Sequence, residues 1–267
     1  MTTLSELPPE LRVLIFETLS WSTIITLFRL NVSLGLEVAN AISIIRADDE
    51  RQIIPTKALY HFPRVVAVEP IIQYYYHNLK FLERFKDLTI LVSSPSDASL
   101  VLTKLPRSDN RIKVIDADGG YLEWNRGKVI RKLPSRESSH YLVSIIKLPI
   151  TELTSIDPVG SKFYFWQIIR DIMGSTLTKA TYRLEVENPY PIIKKCNDKL
   201  MGNLTYGFAT PNQTVISLLF PLTSDVIPLI IELFPQLQEI GYSDQSSNRL
   251  IDLIEAYPRI TFVNMMI

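Results

Sequence analysis

Apolar residues recur at helical spacing through the first forty residues of the chain. Pro8 and Pro9 suit a first helical turn, because a proline there removes no intrahelical hydrogen bond. Residues 11–19 then predict one helix, and Ser22 is predicted to cap a second helix that continues to Leu30. In both segments the apolar residues cover more of the helix circumference than one buried stripe needs. The surplus apolar surface must therefore lie against the rest of the chain or against another protein.

Beyond residue 58, the pattern alternates between helix ends and short strands. Five segments combine an apolar helix end, often with proline, and a short alternating strand: 59–68, 81–91, 105–115, 233–240 and 257–263. The strand anchors Val65, Leu88 and Ile112 recur with a period of about 23, and Leu237 and Ile260 repeat the same spacing. This period lies within the range of leucine-rich repeats, and it is shorter than the roughly 30 residues of a doubly wound strand–helix–strand unit.

Helices are predicted between these strands, each beginning at a serine. The predicted caps are Ser96 for 97–105, Ser224 for the helix that ends at Phe234, and Ser247 for the helix that ends at Tyr257. The middle of the chain is less regular. Residues 121–130 predict a β-hairpin, and further strands are predicted at 141–146, 163–166, 182–186 and 215–219. The number and register of repeats in 119–210 stay open.

Composition and charge narrow the class of protein. Lys+Arg and Asp+Glu each number 28, so the net charge is zero, which argues against nucleic acid or a membrane as a partner. The single cysteine, Cys196, excludes a disulfide framework and a multi-cysteine zinc site. Arg12, Glu17 and Arg29 interrupt the apolar N-terminal stretch, which argues against a membrane span. We therefore expect a soluble protein of a reducing compartment, the cytoplasm, the nucleus or both.

Candidate catalytic and metal-binding residues match no known site in this sequence. His61, His77 and His140 lack metal-ligand spacing, and no G-x-S-x-G, H-E-x-x-H or phosphate-binding glycine loop is present. Residues 116–120 begin like a calcium loop, but the closing position holds Gly127 in place of glutamate. The sequence therefore predicts no catalytic residues, no metal, no cofactor and no enzymatic activity.

The order of residues at the N-terminus resembles the F-box. The matching positions are Leu7-Pro8-Pro9-Glu10-Leu11, followed without a gap by Ile15-Phe16, Leu19, Ile24, Leu27 and Leu30. The resemblance covers about residues 4–42. Family members often continue with arginine and then tryptophan, whereas this chain continues with the segment 31–36, which contains neither.

This resemblance implies a three-helix module that docks on the Skp adaptor subunit of cullin-RING ubiquitin ligases and, through it, on a cullin. Carried over by position, the adaptor-binding residues are Leu7, Pro8, Leu11, Ile15, Phe16, Leu19, Ile24 and Leu27. Some of these side chains are expected to face the adaptor and others the core of the module. The predicted α/β architecture has F-box helices over residues 1–42, a connecting segment over 43–57, and a leucine-rich-repeat-like strand–helix solenoid with a mainly parallel curved sheet over 58–267.

The predicted function is recognition of an unidentified client protein within an SCF-type ubiquitin ligase. Two alternatives stay open. The departure from the family pattern after Leu30 favours an F-box scaffold that acts outside a ligase. The alternation of strands and helices is the only feature that favours an α/β enzyme.

Overall fold

The computed structural model describes residues 4–74, 79–93, 95–105, 109–133, 150–158, 160, 162–204, 210–243 and 247–265. The chain forms two compact units, Met1–Ala117 and Asp118–Ile267. Each unit combines helices with mostly parallel strands, which confirms the predicted α/β class. The predicted boundaries lay after residues 42 and 57, whereas residues on both sides of these positions belong to the first unit.

The first unit begins with helices and continues into short strands. Its helices are α1 (Pro9–Phe16), α2 (Trp21–Leu30), α3 (Val32–Ala41), α4 (Leu79–Leu82) and α5 (Pro95–Lys104), with 3-10 helices at Leu4–Glu6 and Thr56–His61. Its strands are β1 (Ile44–Ile45), β2 (Ile53–Pro55), β3 (Ala67–Val68), β4 (Ile71–Gln73), β5 (Asp87–Leu91) and β6 (Arg111–Ile115). Parallel pairing joins β1, β3, β5 and β6 in that order, and β4 pairs with both β2 and β5.

The second unit opens with the predicted hairpin, in which β7 (Tyr121–Asn125) pairs antiparallel with β8 (Lys128–Lys132). Arg126 and Gly127 have φ angles of 48° and 84°, the left-handed backbone that a two-residue hairpin turn requires. The following elements are β9 (Glu152–Asp157), α6 (Lys162–Met173), β10 (Lys179–Leu184), α7 (Tyr190–Leu204), β11 (Ser217–Leu219), α8 (Ile227–Leu233), β12 (Glu239–Tyr242), α9 (Ser247–Ala256) and β13 (Thr261–Asn264). From β8 to β13, each strand pairs in parallel with the next.

The parallel register fixes the spacing of the strand–helix units. In the first unit Ile44 pairs with Ala67, Ala67 with Asp87, and Asp87 with Arg111, so each step is close to the repeat period predicted from the sequence. The step from β3 to β5 is the shortest of these. The anchor predicted at Val65 lies before β3, so this residue is not part of the strand. In the second unit the steps are of similar length, except that Lys179 of β10 pairs with Ser217 of β11. This longest step contains the 15-residue helix α7, which the sequence pattern did not predict.

The predicted strand at 163–166 was wrong, because these residues lie in α6. The buried positions of this helix are Phe165, Ile168, Ile169 and Ile172, which recur at helical spacing on one face. The strand predicted at 182–186 overlaps β10, which ends at Leu184, and the strand predicted at 215–219 overlaps β11. The strand predicted at 141–146 lies outside the described residues.

The predicted serine caps were also wrong in position. Helix α8 begins at Ile227 with Val226 at its N-cap, beyond Ser224. Helices α5 and α9 begin at Pro95 and Ser247, so Ser96 and Ser247 lie within the helices and not before them.

Three aromatic rings form the centre of the core in the second unit. The ring centroids of Phe165 on α6, Tyr182 on β10 and Phe220 after β11 lie 5.2 to 5.5 Å apart, and all three side chains are buried. Rings at these separations gain stabilisation beyond the burial of their area. An aromatic residue, Phe165, therefore packs helix α6 against the sheet, although aromatic residues in this segment had predicted a strand.

A polar network is buried beside these rings. Tyr182 Oη donates to Asp157 Oδ2 at 2.6 Å, and the Gly160 N–H donates to Asp157 Oδ1 at 2.7 Å. Arg131 Nη2 donates to Ser155 Oγ at 3.3 Å, and the side chains of Arg131, Ser155, Asp157 and Tyr182 are fully buried. Burial raises the pKa of Tyr182 well above its ordinary value, and the charge of Asp157 raises it further. The tyrosine therefore stays a neutral hydrogen-bond donor.

Substitution by alanine at two glycines of the second unit is expected to have opposite effects on stability. A Cβ on Gly241 would lie 2.3 Å from the Phe220 carbonyl oxygen, whereas a Cβ on Gly202 in α7 meets nothing within 4 Å. We expect Gly241→Ala to lower the free energy of unfolding by about 1 to 3 kcal/mol, because β11 and β12 must separate. Gly202→Ala should raise it by up to about 1 kcal/mol through helix propensity. Urea unfolding measures both, and equal effects would contradict the prediction.

Candidate protein-interaction site

Helices α1, α2 and α3 form a helical module at the start of the first unit. Helix α1 follows Pro8 and has Pro9 in its first turn, as predicted. Helix α3 has Asn31 at its N-cap, where the side chain accepts a hydrogen bond from the Leu34 N–H at 3.1 Å. Helix α2 begins at Trp21 with Ser20 at its N-cap, so Ser22 is not the cap that the sequence predicted.

Apolar side chains pack the inside of this module. Phe16, Ile24, Val38 and Ala39 are buried, and α3 contacts both α1 and α2. The closest approach is at Gly35, where a Cβ would lie 2.7 Å from the ring of Phe28. Only glycine allows the two helices to approach this closely at that position.

The structure divides the predicted adaptor-binding residues into inner and outer sets. Phe16 and Ile24 are buried in the module, with 2% and 0% of their surface exposed. Leu7, Leu19 and Leu27 are half-buried, whereas Pro8, Leu11 and Ile15 are exposed. Three of the eight side chains are therefore fully available to a partner, and two serve the core.

Several other apolar side chains of the module are also exposed, although they were not named as adaptor-binding. Leu14 is 63% exposed beside Leu11 and Ile15 on one face of α1, and Leu30 at the end of α2 is 78% exposed. Val32 and Leu36, one turn apart on α3, are also exposed. We define the docking surface as the exposed apolar side chains Leu11, Leu14, Ile15, Leu30, Val32 and Leu36. Clusters of this kind mark protein-binding sites on soluble proteins.

The rim of the module carries polar groups. Arg12 on α1 forms an ion pair with Glu37 on α3. These two residues line an open groove of about 310 Å³ together with Leu4, Asn31, Ser33 and Leu34. An apolar surface with a polar rim is typical of protein interfaces.

Hydrogen bonds to the first strand hold the corner between α1 and α2. Glu17 Oε1 accepts hydrogen bonds from the Ser43 N–H and Oγ at 2.8 and 2.7 Å. Arg46 Nε donates to the Glu17 carbonyl oxygen, and the Trp21 N–H donates to the Arg46 carbonyl oxygen, both at 2.9 Å. The segment predicted as a connection, 43–57, therefore contributes strands β1 and β2 and directly fixes the helices.

The Asp48 side chain accepts hydrogen bonds at the N-terminal end of α2. Its carboxylate accepts the Ser22 N–H at 2.9 Å, the Ser22 hydroxyl at 2.5 Å and the Gln52 side-chain amide at 2.7 Å. Hydrogen bonds from Ser20 and Ser22 hold the pKa of Asp48 well below its ordinary value. A carboxylate at this end of a helix also interacts favourably with the helix dipole.

This arrangement predicts a pH-dependent contribution of Asp48 to stability. Because the folded-state pKa is lowered, the contribution is complete above the unfolded-state pKa of about 4 and is lost as the pH falls below it. At pH 7 we expect Asp48→Asn to lower the urea midpoint of unfolding, and we expect the difference from wild type to shrink between pH 4 and pH 2. Glu50→Gln, a nearby exposed change, is the control. A difference that does not vary with pH would contradict this role.

A second hollow lies between α2 and the 3-10 helix Thr56–His61. It measures about 180 Å³ and is lined by Trp21, Ile25, Phe28, Ala58, His61 and Phe62. The ring of Phe62 packs against Trp21 and Phe28, with centroids 5.7 and 6.1 Å apart. These aromatic contacts add a further attachment between the helical module and the segment that follows it.

The remaining candidate residues lie partly inside and partly outside the part of the chain that the structure describes. His61 is exposed at the second hollow, and His77 and His140 lie outside the described residues. Within the described ranges, no three His, Cys, Asp or Glu side chains are grouped to hold a metal ion. Cys196 is buried. The Glu185 carboxylate accepts a hydrogen bond from Lys132 Nζ at 2.8 Å, and this hydrogen bond raises the pKa of Lys132.

Comparison with models of known protein families, with curated proteins and with solved structures finds no match to this chain. Among the described residues, no helix has the length and apolar character needed to cross a membrane.

Proposed function

We propose that this protein is the substrate receptor of an SCF-type ubiquitin ligase. The docking surface binds the Skp adaptor, and the strand–helix units that follow hold a client protein. The observation that carries the proposal is the exposure of Leu11, Leu14 and Ile15 on one face of α1, within the segment that resembles the F-box. The helices conceal Phe16 and Ile24 but leave this apolar face uncovered, as a docking module requires.

The spacing of the strands supports a leucine-rich-repeat-like solenoid for the client-binding part. Along β1, β3, β5 and β6, and along β8 to β13 outside the long step between β10 and β11, each parallel pairing advances the register by a length within the range of leucine-rich repeats, about 20–29 residues. The pairings of β4 with β2 and with β5 are shorter, since Ile53 pairs with Ile71 and Ile72 with Ile90. Each such unit buries its apolar face by stacking on its neighbours, which gives a long sheet surface for a partner.

In this function the protein carries out no chemistry. It tethers the client to the ligase, so that client lysines experience a high effective concentration of the ubiquitin-charged enzyme. The hydrogen bonds from Ser43 to Glu17 and from Ser22 to Asp48 tie the docking helices to the segment 43–52.

Isothermal titration of the full chain with a purified Skp adaptor tests the proposal. We expect Leu11→Asp with Leu14→Asp to weaken binding by about 100-fold, because burial of each leucine contributes about 1.5 to 3 kcal/mol. Ile53→Asp is the matched control, since Ile53 is 48% exposed but lies outside the docking surface on β2. An adaptor that does not bind the wild-type chain, or that binds the double variant equally well, would overturn the proposal.

The ligase and the scaffold alternative share adaptor docking and differ in the fate of the bound protein. The departure from the F-box pattern at residues 31–36 favours the scaffold, although α3 forms over Val32–Ala41. Proteins captured by the wild-type chain should accumulate in cells when the docking surface carries Leu11→Asp and Leu14→Asp. Unchanged lifetimes of all captured proteins would favour the scaffold.

A further inference from the structure

We draw no further inference here: the strongest candidate, the aromatic-lined hollow between α2 and the 3-10 helix Thr56–His61, carries none, because its lining is apolar and nothing in the structure shows what covers it.

Discussion

Asp157→Ala is expected to lower the free energy of unfolding of the second unit by about 3 to 5 kcal/mol, because it breaks a buried charged network. The Asp157 side chain is fully buried and accepts hydrogen bonds from Tyr182 Oη at 2.6 Å and from the Gly160 N–H at 2.7 Å. Removal of the carboxylate leaves the buried Tyr182 hydroxyl and the half-buried Gly160 N–H without this acceptor. Such a loss costs far more than the loss of an exposed ion pair.

Asp225→Ala is the matched control for this prediction. Asp225 is also a hydrogen-bonded carboxylate and accepts from Arg249 at 3.0 Å, but its own side chain is 68% exposed. Exposed ion pairs contribute at most about 1 kcal/mol. Urea unfolding of both variants gives the comparison, and an Asp157→Ala effect as small as that of Asp225→Ala would show that solvent reaches the network.

Phe165→Ala should have an effect of similar size, about 3 to 5 kcal/mol, because it removes a ring from the centre of the core. Phe165 is fully buried and packs edge-on against both Tyr182 and Phe220, with centroids 5.2 and 5.4 Å away. The substitution creates a cavity between α6 and the sheet and also removes two aromatic contacts. Urea unfolding measures the loss of stability.

Phe165→Leu separates the effect of the cavity from the effect of the lost ring contacts, since leucine fills part of the volume but makes no ring contact. We expect it to recover most of the stability lost in the alanine variant, with a residual deficit of about 1 kcal/mol or more. An alanine variant as stable as wild type would mean that α6 is not held by this contact.

The elements that the sequence predicted well are those whose signals are local. Helices α1 and α2 follow from apolar residues at helical spacing, and the hairpin of β7 and β8 follows from the turn at Arg126 and Gly127. The strands at Leu88 and Ile112 follow from alternating apolar positions, which the structure buries in alternation. In each case, neighbouring residues carry the whole pattern.

The elements that the sequence did not predict depend on partners distant along the chain. Residues 163–166 are aromatic and favour a strand, but burial of Phe165 with Ile168, Ile169 and Ile172 stabilises a helix. The position of Asp48 in the sequence does not indicate that its carboxylate accepts hydrogen bonds at the N-terminal end of α2, because Asp48 is far from Ser22 along the chain. Similarly, the strand register places Arg131, Ser155 and Tyr182 in one row across three strands, and the sequence alone does not predict this register.

Burial separates exposed from buried residues within the candidate site, a distinction that the sequence pattern does not make. Leu11 and Ile15 carry the F-box-like pattern and are exposed, whereas Ile24 carries the same pattern and is fully buried. An apolar residue at a matching position is compatible with either location, so the pattern cannot assign it. Leu14 was missed as a site residue because it falls between the matching positions, and Val32 was missed because it lies beyond the last of them, Leu30.

Ser43 and Arg46 donate hydrogen bonds to Glu17, and Asp48 accepts them from Ser22, so residues beyond the F-box-like segment help to hold α1 and α2 in place. A fusion that transplants residues 1–42 alone would carry the docking leucines without the groups that fix α1 and α2. Fragments made to test the proposed adaptor docking should therefore extend to Ala117, where the first compact unit ends.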